Sequence, residues 1–197
     1  MSKYDSLKEI RDEVLALKDS PLYEYRTTNN YFPVIGEGSH DAVVMIIGEA
    51  PGKNEAKTGR PFAGAAGKIL DDLLAEAKIE RKDVYITNIV KDRPQENRDP
   101  TPEEIEIYGP FLDRQIDIIQ PKVIATLGRF SMGYILTKFG LGSENIGISK
   151  LHGKTFNAKA TYGPITILVL YHPAAAIYNQ SLKDVLRTDF AVLQDLT

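Results

Sequence analysis

The stretch Ala42-Val-Val-Met-Ile-Ile-Gly-Glu-Ala-Pro-Gly52 decides the fold. Ala42–Ile47 is apolar at every position, with no alternation. Such a short run reads as a strand buried on both faces, and the glycines and proline after it mark the chain leaving a sheet. Val84–Thr87, Val123–Leu127 and Ile165–Tyr171 read the same way. Helical patterns lie between them at Ala65–Ala77, Pro102–Ile119 and Phe130–Phe139, and Ser181–Leu196 closes the chain. Thr101 is the N-cap expected for the second of these helices. Pro102 sits in its first turn, and Glu103 and Glu104 face its dipole. Strand and helix in alternation predict an α/β fold: three layers, α/β/α, around a central four-stranded parallel sheet. Upstream, Leu7, Ile10, Val14, Leu15 and Leu17 predict an amphipathic helix over residues 4–18, followed by a loop through Pro21 and Arg26-Thr-Thr-Asn-Asn30. Residues 1–197 are therefore expected to form one domain, with 1–30 an N-terminal helix and loop packed on it.

Composition narrows the function classes. Of 197 residues, 43% are apolar and 26% charged, ordinary values for a globular chain. No apolar run approaches the ~20 residues that span a bilayer, so no membrane association is expected. The first residues, Met1-Ser-Lys-Tyr-Asp-Ser6, carry no apolar signal core, so the expected location is cytoplasmic. There is no cysteine, which excludes disulfides, thiolate catalysis and Cys-ligated zinc or iron–sulfur groups. The three histidines, His40, His152 and His172, are too scattered for a convincing metal site. The net charge of −3 hides an asymmetry: residues 120–170 hold six basic side chains and one acid. Such a stretch is either a solvated face or a surface that attracts a polyanion.

In a fold of this kind ligands bind at the carboxyl ends of the strands. The loops leaving those ends are Gly48–Gly64, Asn88–Pro100, Gly128 onward and His172–Gln180. In the first, Gly48 and Gly52 permit close backbone approach to a flat ligand, although Gly48-Glu-Ala-Pro-Gly52 alone is equally a structural turn. A phosphate cradle does not fit, because neither G-x-x-x-x-G-K-[ST] nor G-x-G-x-x-G is present. Asn88 follows a strand directly; its amide matches the imide edge of a pyrimidine, or makes a turn or cap. His172 stands where the last strand meets its loop, in a structural or a functional role.

Six pieces in order resemble the family 4 uracil-DNA glycosylases over nearly the whole chain from about Ser20. They are Gly48-Glu-Ala-Pro-Gly52, Thr58-Gly-Arg-Pro-Phe-Ala-Gly64, Tyr85-Ile-Thr-Asn-Ile-Val-Lys91, Arg93-Pro-Gln-Glu-Asn-Arg-Asp-Pro100, Leu151-His-Gly-Lys154 and His172-Pro-Ala174. The resemblance implies an enzyme that flips uracil out of single- or double-stranded DNA and hydrolyses its N-glycosidic bond, leaving an abasic site. It implies that Phe62 stacks on the base, Asn88 bonds its Watson–Crick edge and His172 faces O2. Glu55 would sit near C5, and Glu49, with Gly48 and Ala50, in the loop that holds the base and the attacking water. Removing a base requires taking it out of the stack, and donors aimed at the leaving oxygen lower the barrier. Arg60, Lys91, Arg93, Arg98, Lys150, His152 and Lys154 are expected to meet phosphates. Ile177 or Tyr178 is expected to wedge the duplex. A monomer working on the nucleoid without cofactor is expected, with turnover by water. The rival readings are a catalytically weak DNA-binding relative, a glycosylase for another deaminated base such as hypoxanthine, and a nucleotide-binding regulatory module.

One departure from the family is plain. Its members hold a [4Fe–4S] cluster on four cysteines, and by register those positions fall on Leu17, Ser20, Asp92 and Tyr108. The expectation is a clip made by packing and hydrogen bonds, with Asp92 bonded to the Tyr108 hydroxyl.

Overall fold

A computed structural model describes residues 1–197. The chain runs α1 (Lys3–Leu15), α2 (Tyr23–Thr28), β1 (Glu37–Gly38), β2 (Val44–Gly48), α3 (Lys53–Thr58), α4 (Ala65–Glu76) and β3 (Tyr85–Asn88). It continues through α5 (Pro102–Ile119), β4 (Val123–Leu127), α6 (Arg129–Lys138), α7 (Ile148–Leu151), β5 (Thr155–Ala160), β6 (Gly163–Leu170), α8 (Ala175–Tyr178) and α9 (Leu182–Leu196). Two helix starts are fixed by capping boxes: Ser2 with Asp5 opens α1, and Thr101 with Glu104 opens α5.

The sheet has six strands in the order β1-β3-β2-β4-β6-β5. The four inner strands are mutually parallel; the edges β1 and β5 run antiparallel to β3 and β6. The expected four-stranded sheet is therefore the centre of a larger mixed one. Burial explains the omission. β2, β3 and β4 are buried at every position, whereas β5 alternates exposed and half-buried residues until Ala160, and β1 is two residues long. Helices cover both faces. Met45, Ile47, Ile124, Ile167 and Val169 point to one face and pack with Tyr108, Leu112 and Ile116 of α5 and Ile135 of α6. Val44, Ile46, Ala125, Leu168 and Leu170 point to the other and pack with Leu70 and Leu74 of α4 and Phe190 of α9. This is the two-residue period of strands feeding two separate cores.

A second correction concerns residues 26–30. The segment expected to be loop is partly helical, as the end of α2. Arg26 is buried, and its guanidinium donates to the carbonyls of Val14 (3.1 Å) and Leu15 (2.8 Å), closing the carboxyl end of α1. A charged residue that caps another helix from inside gives no hydrophobic period to read.

Candidate active site

The inner strands end side by side, with Gly48 of β2 in register with Asn88 of β3. Gly48 matters here through its missing side chain. A Cβ at this position would lie 2.3 Å from Asn88 Oδ1 and 2.9 Å from Phe62 Cζ, so the glycine is what lets amide and ring converge. Phe62 itself has φ 50°, a left-handed conformation that costs a non-glycine residue on the order of 1 kcal/mol. Glu55 holds the following turn: its Oε1 accepts from the backbone N–H groups of Ala63 (2.9 Å) and Gly64 (3.1 Å). The next helix, α4, starts immediately after this turn.

Glu49, Ala50, Glu55, Phe62, Asn88 and His172 line one cavity of about 320 Å³. Six residues expected around a base thus face a common space, and Gly48 lies behind two of them. Pro94 and Asn97 also line the cavity, and sequence reasoning had not placed them there. A signal was available in Gln95-Glu-Asn97. Glu96 (φ 55°) and Asn97 (φ 56°) are consecutive left-handed residues, and asparagine tolerates that conformation. The tight turn they make folds the loop back over the cavity.

The two ionisable groups at the centre are tuned in opposite directions. Burial holds the His172 pKa down to about 4, against the opposing pull of the Glu55 charge. The ring is therefore neutral near pH 7. Its Nδ1 accepts from the Ala174 backbone N–H at 3.1 Å, which puts the single ring proton on Nε2. Burial, and after it the charge of Asp99, raises Glu49 to about 7, with Arg129 opposing. A carboxyl poised there is in the range suited to general base work. Arg129, paired with Asp99, was not among the residues assigned to phosphates.

The expected phosphate contacts divide. Lys150 and Lys154 are exposed. His152 bonds Asp189 (2.7 Å) and stacks on Tyr171, with centroids 4.5 Å apart. Arg60 grips Glu37 through two 2.8 Å bonds, and Arg98 grips buried Glu104 at 2.6 and 2.9 Å while also lining the cavity. Arg93 is mostly buried; it lies over the rings of Tyr25 and Tyr31 and bonds both hydroxyls and Asn97. Lys91 is a correction. It is completely buried, its side-chain nitrogen bonded inside the protein, and it cannot reach a phosphate.

The positions aligned with cluster cysteines do not suit an iron–sulfur group: they carry no thiolate, and their space is taken. Leu17 packs on the core. The Leu22 N–H donates to Ser20 Oγ (3.1 Å), Ser20 Oγ lies 2.7 Å from the Tyr108 hydroxyl, and that hydroxyl donates to Asp92 Oδ2 at 2.6 Å. Arg26 Nη1 stands 3.6 Å from Asp92 Oδ1, which has no hydrogen-bond partner. Burial lifts the Asp92 pKa to about 6, with the Tyr108 bond and Arg26 opposing. This polar chain joins α2, α5 and the loop that lines the cavity.

Known proteins resemble this chain over nearly its whole length. Residues 35–194 match the model of the uracil DNA glycosylase superfamily. The chain is 48% identical over 194 residues to a type-4 uracil-DNA glycosylase of Sulfurisphaera tokodaii, covering 98% of this chain and 85% of that one. It is 41% identical over 192 residues to the type-4 enzyme of Archaeoglobus fulgidus, covering 98% and 94%. With that of Thermotoga maritima it shares 37% over 180 residues, covering 91% and 88%. At such identity across nearly the full length, the chain belongs to the type-4 uracil-DNA glycosylase family.

Proposed function

We infer that this chain is a uracil-DNA glycosylase of base excision repair that takes uracil from DNA and hydrolyses its N-glycosidic bond. The observation that carries this reading is the convergence of an aromatic face, an amide and a neutral imidazole donor on one cavity. The extruded base lies on Phe62. The Asn88 amide bonds its imide edge, which has both a donor and acceptors to match. As the C1′–N1 bond breaks, its electron pair leaves with the base, and negative charge gathers on the pyrimidine oxygens. The Nε2–H of His172 is a preorganised donor for O2; a donor of this kind is worth about 3 kcal/mol. The sugar becomes cationic. Glu49, as a carboxylate, stabilises it and orients a water, whose oxygen bonds C1′ while Glu49 takes the proton. The released uracil anion takes up a proton from solvent.

Phosphates on either side of the flipped nucleotide meet Lys150, Lys154 and Arg129, which are exposed. Tyr178, 88% exposed just past the His172 loop, and Ile177 beside it are the side chains that fill the gap in the duplex.

Incubation with an oligonucleotide carrying one uracil, followed by alkali, tests the reading. Strand cleavage at the uracil supports it. Binding without cleavage makes the chain a DNA-binding relative, and cleavage at hypoxanthine alone makes it an enzyme for another base.

A further inference from the structure

Lys91 is fully buried, and no step above uses it. Its ammonium nitrogen meets three oxygens: Gln115 Oε1 at 2.5 Å, the Asn88 carbonyl at 2.6 Å and Thr87 Oγ1 at 2.9 Å. No carboxylate shares the site, so the charge has no counter-ion there.

All three oxygens are committed as acceptors. The Thr87 hydroxyl gives its proton to the Ile35 carbonyl at 2.6 Å. The Gln115 amide nitrogen donates to the same carbonyl (2.8 Å) and to the Tyr85 hydroxyl (3.1 Å), which turns its oxygen toward Lys91. A peptide carbonyl only accepts. An ammonium group has three protons for these three acceptors, whereas a neutral amine would turn its lone pair against one of them. Burial alone pulls the other way and favours the neutral amine. The oriented acceptors are what hold the proton in place.

We propose that Lys91 is a buried ammonium that acts through Asn88, pinning the residue that reads the base and readying the pocket wall for the negative charge of the departing pyrimidine. Asn88 is held from two sides: its carbonyl by Lys91, and its side chain against the bare backbone of Gly48. An unpaired cation in a dry core is a poor source of stability. Placed one residue behind a pocket where an anion forms, it favours that anion strongly, because little water screens it. Lys91 is thus a positioning residue with an electrostatic effect, and the proposal rests on the uracil-excision reading.

The test uses the protein and its Lys91→Met variant in single-turnover reactions on DNA carrying uracil or 5-fluorouracil. Fluorine stabilises the departing anion, so 5-fluorouracil depends less on help from the protein. The variant should bind DNA like the parent, lose at least about tenfold in uracil excision, and lose several-fold less on 5-fluorouracil. Equal losses on both bases would make Lys91 a structural prop and overturn the proposal, as would a loss confined to DNA affinity. Should Lys91→Met fail to fold, Gln115→Glu carries the test, since it sets a carboxylate beside the ammonium with the volume kept. The same unequal loss is expected, and an equal loss or none overturns the proposal. A parent protein inactive on both bases would overturn the uracil reading itself.

Discussion

The ring of Phe62 lies over the ring of His172, with centroids 5.5 Å apart and planes 27° from parallel. A base stacked between two rings needs about 7 Å between them, twice the usual contact distance. The base therefore does not enter between these rings as they stand. In the proposed mechanism it takes the cavity beside them, with Phe62 as its platform and His172 meeting an edge. Replacing Phe62 with alanine removes the platform, worth about 1–3 kcal/mol for a base on an aromatic ring. Uracil excision by Phe62→Ala should fall roughly tenfold to a hundredfold in single-turnover assays.

The opposite tuning of Glu49 and His172 sets the pH dependence. In the proposed mechanism Glu49 works as a carboxylate; its pKa is raised to about 7, so protonation below that value removes the working form. The rate should climb with pH through about 7 and then level. His172, with its pKa held near 4, stays neutral across this window and adds no limb of its own. Glu49→Gln should lower the rate about a hundredfold and abolish the slope. An unchanged pH profile in that variant would move the role to another group.

The polar chain of Ser20, Tyr108, Asp92 and Arg26 ties α2 and α5 to the loop that lines the cavity. Tyr108→Phe leaves Ser20 Oγ and Asp92 Oδ2 without their shared partner in a site where Tyr108 is wholly buried. Such a loss costs about 1–3 kcal/mol and should lower the melting temperature by roughly 2–10 °C. Iron measured on the purified protein should be far below one cluster per chain.

Phosphate binding by the exposed Lys150 and Lys154, as proposed, predicts a complex sensitive to salt. Affinity for DNA should fall steeply as salt rises, and alanine at Lys150 or Lys154 should reduce the slope by about one for each ammonium group removed. Lys91 should have no part in that slope, because its ammonium group lies inside the protein.

Much of this was legible in the residues. The four inner strands could be read because each holds a run of apolar and β-branched residues, and the start of α5 because Thr101, Pro102 and Glu104 mark it. The edge strand β5 was hidden by its half-polar alternation, and α2 by Arg26, a charged residue turned inward. In the site, Asn88 and His172 stood out as chemistry at strand ends, and Phe62 through the family resemblance. Pro94 and Asn97 did not, because only the two left-handed residues of that turn bring them over the cavity. Lys91 misled for a simple reason: a lysine in a loop beside an active face reads as solvent-exposed, and only coordinates reveal the acceptors that draw it in.

The central claim is that one amide, one aromatic ring and one neutral imidazole share a single base, and Asn88→Ala tests it most directly. Single-turnover cleavage of a uracil-containing oligonucleotide, read as alkali-labile sites, should fall at least about a hundredfold in this variant with thermal melting little changed. Excision at the parent rate by Asn88→Ala would contradict the account.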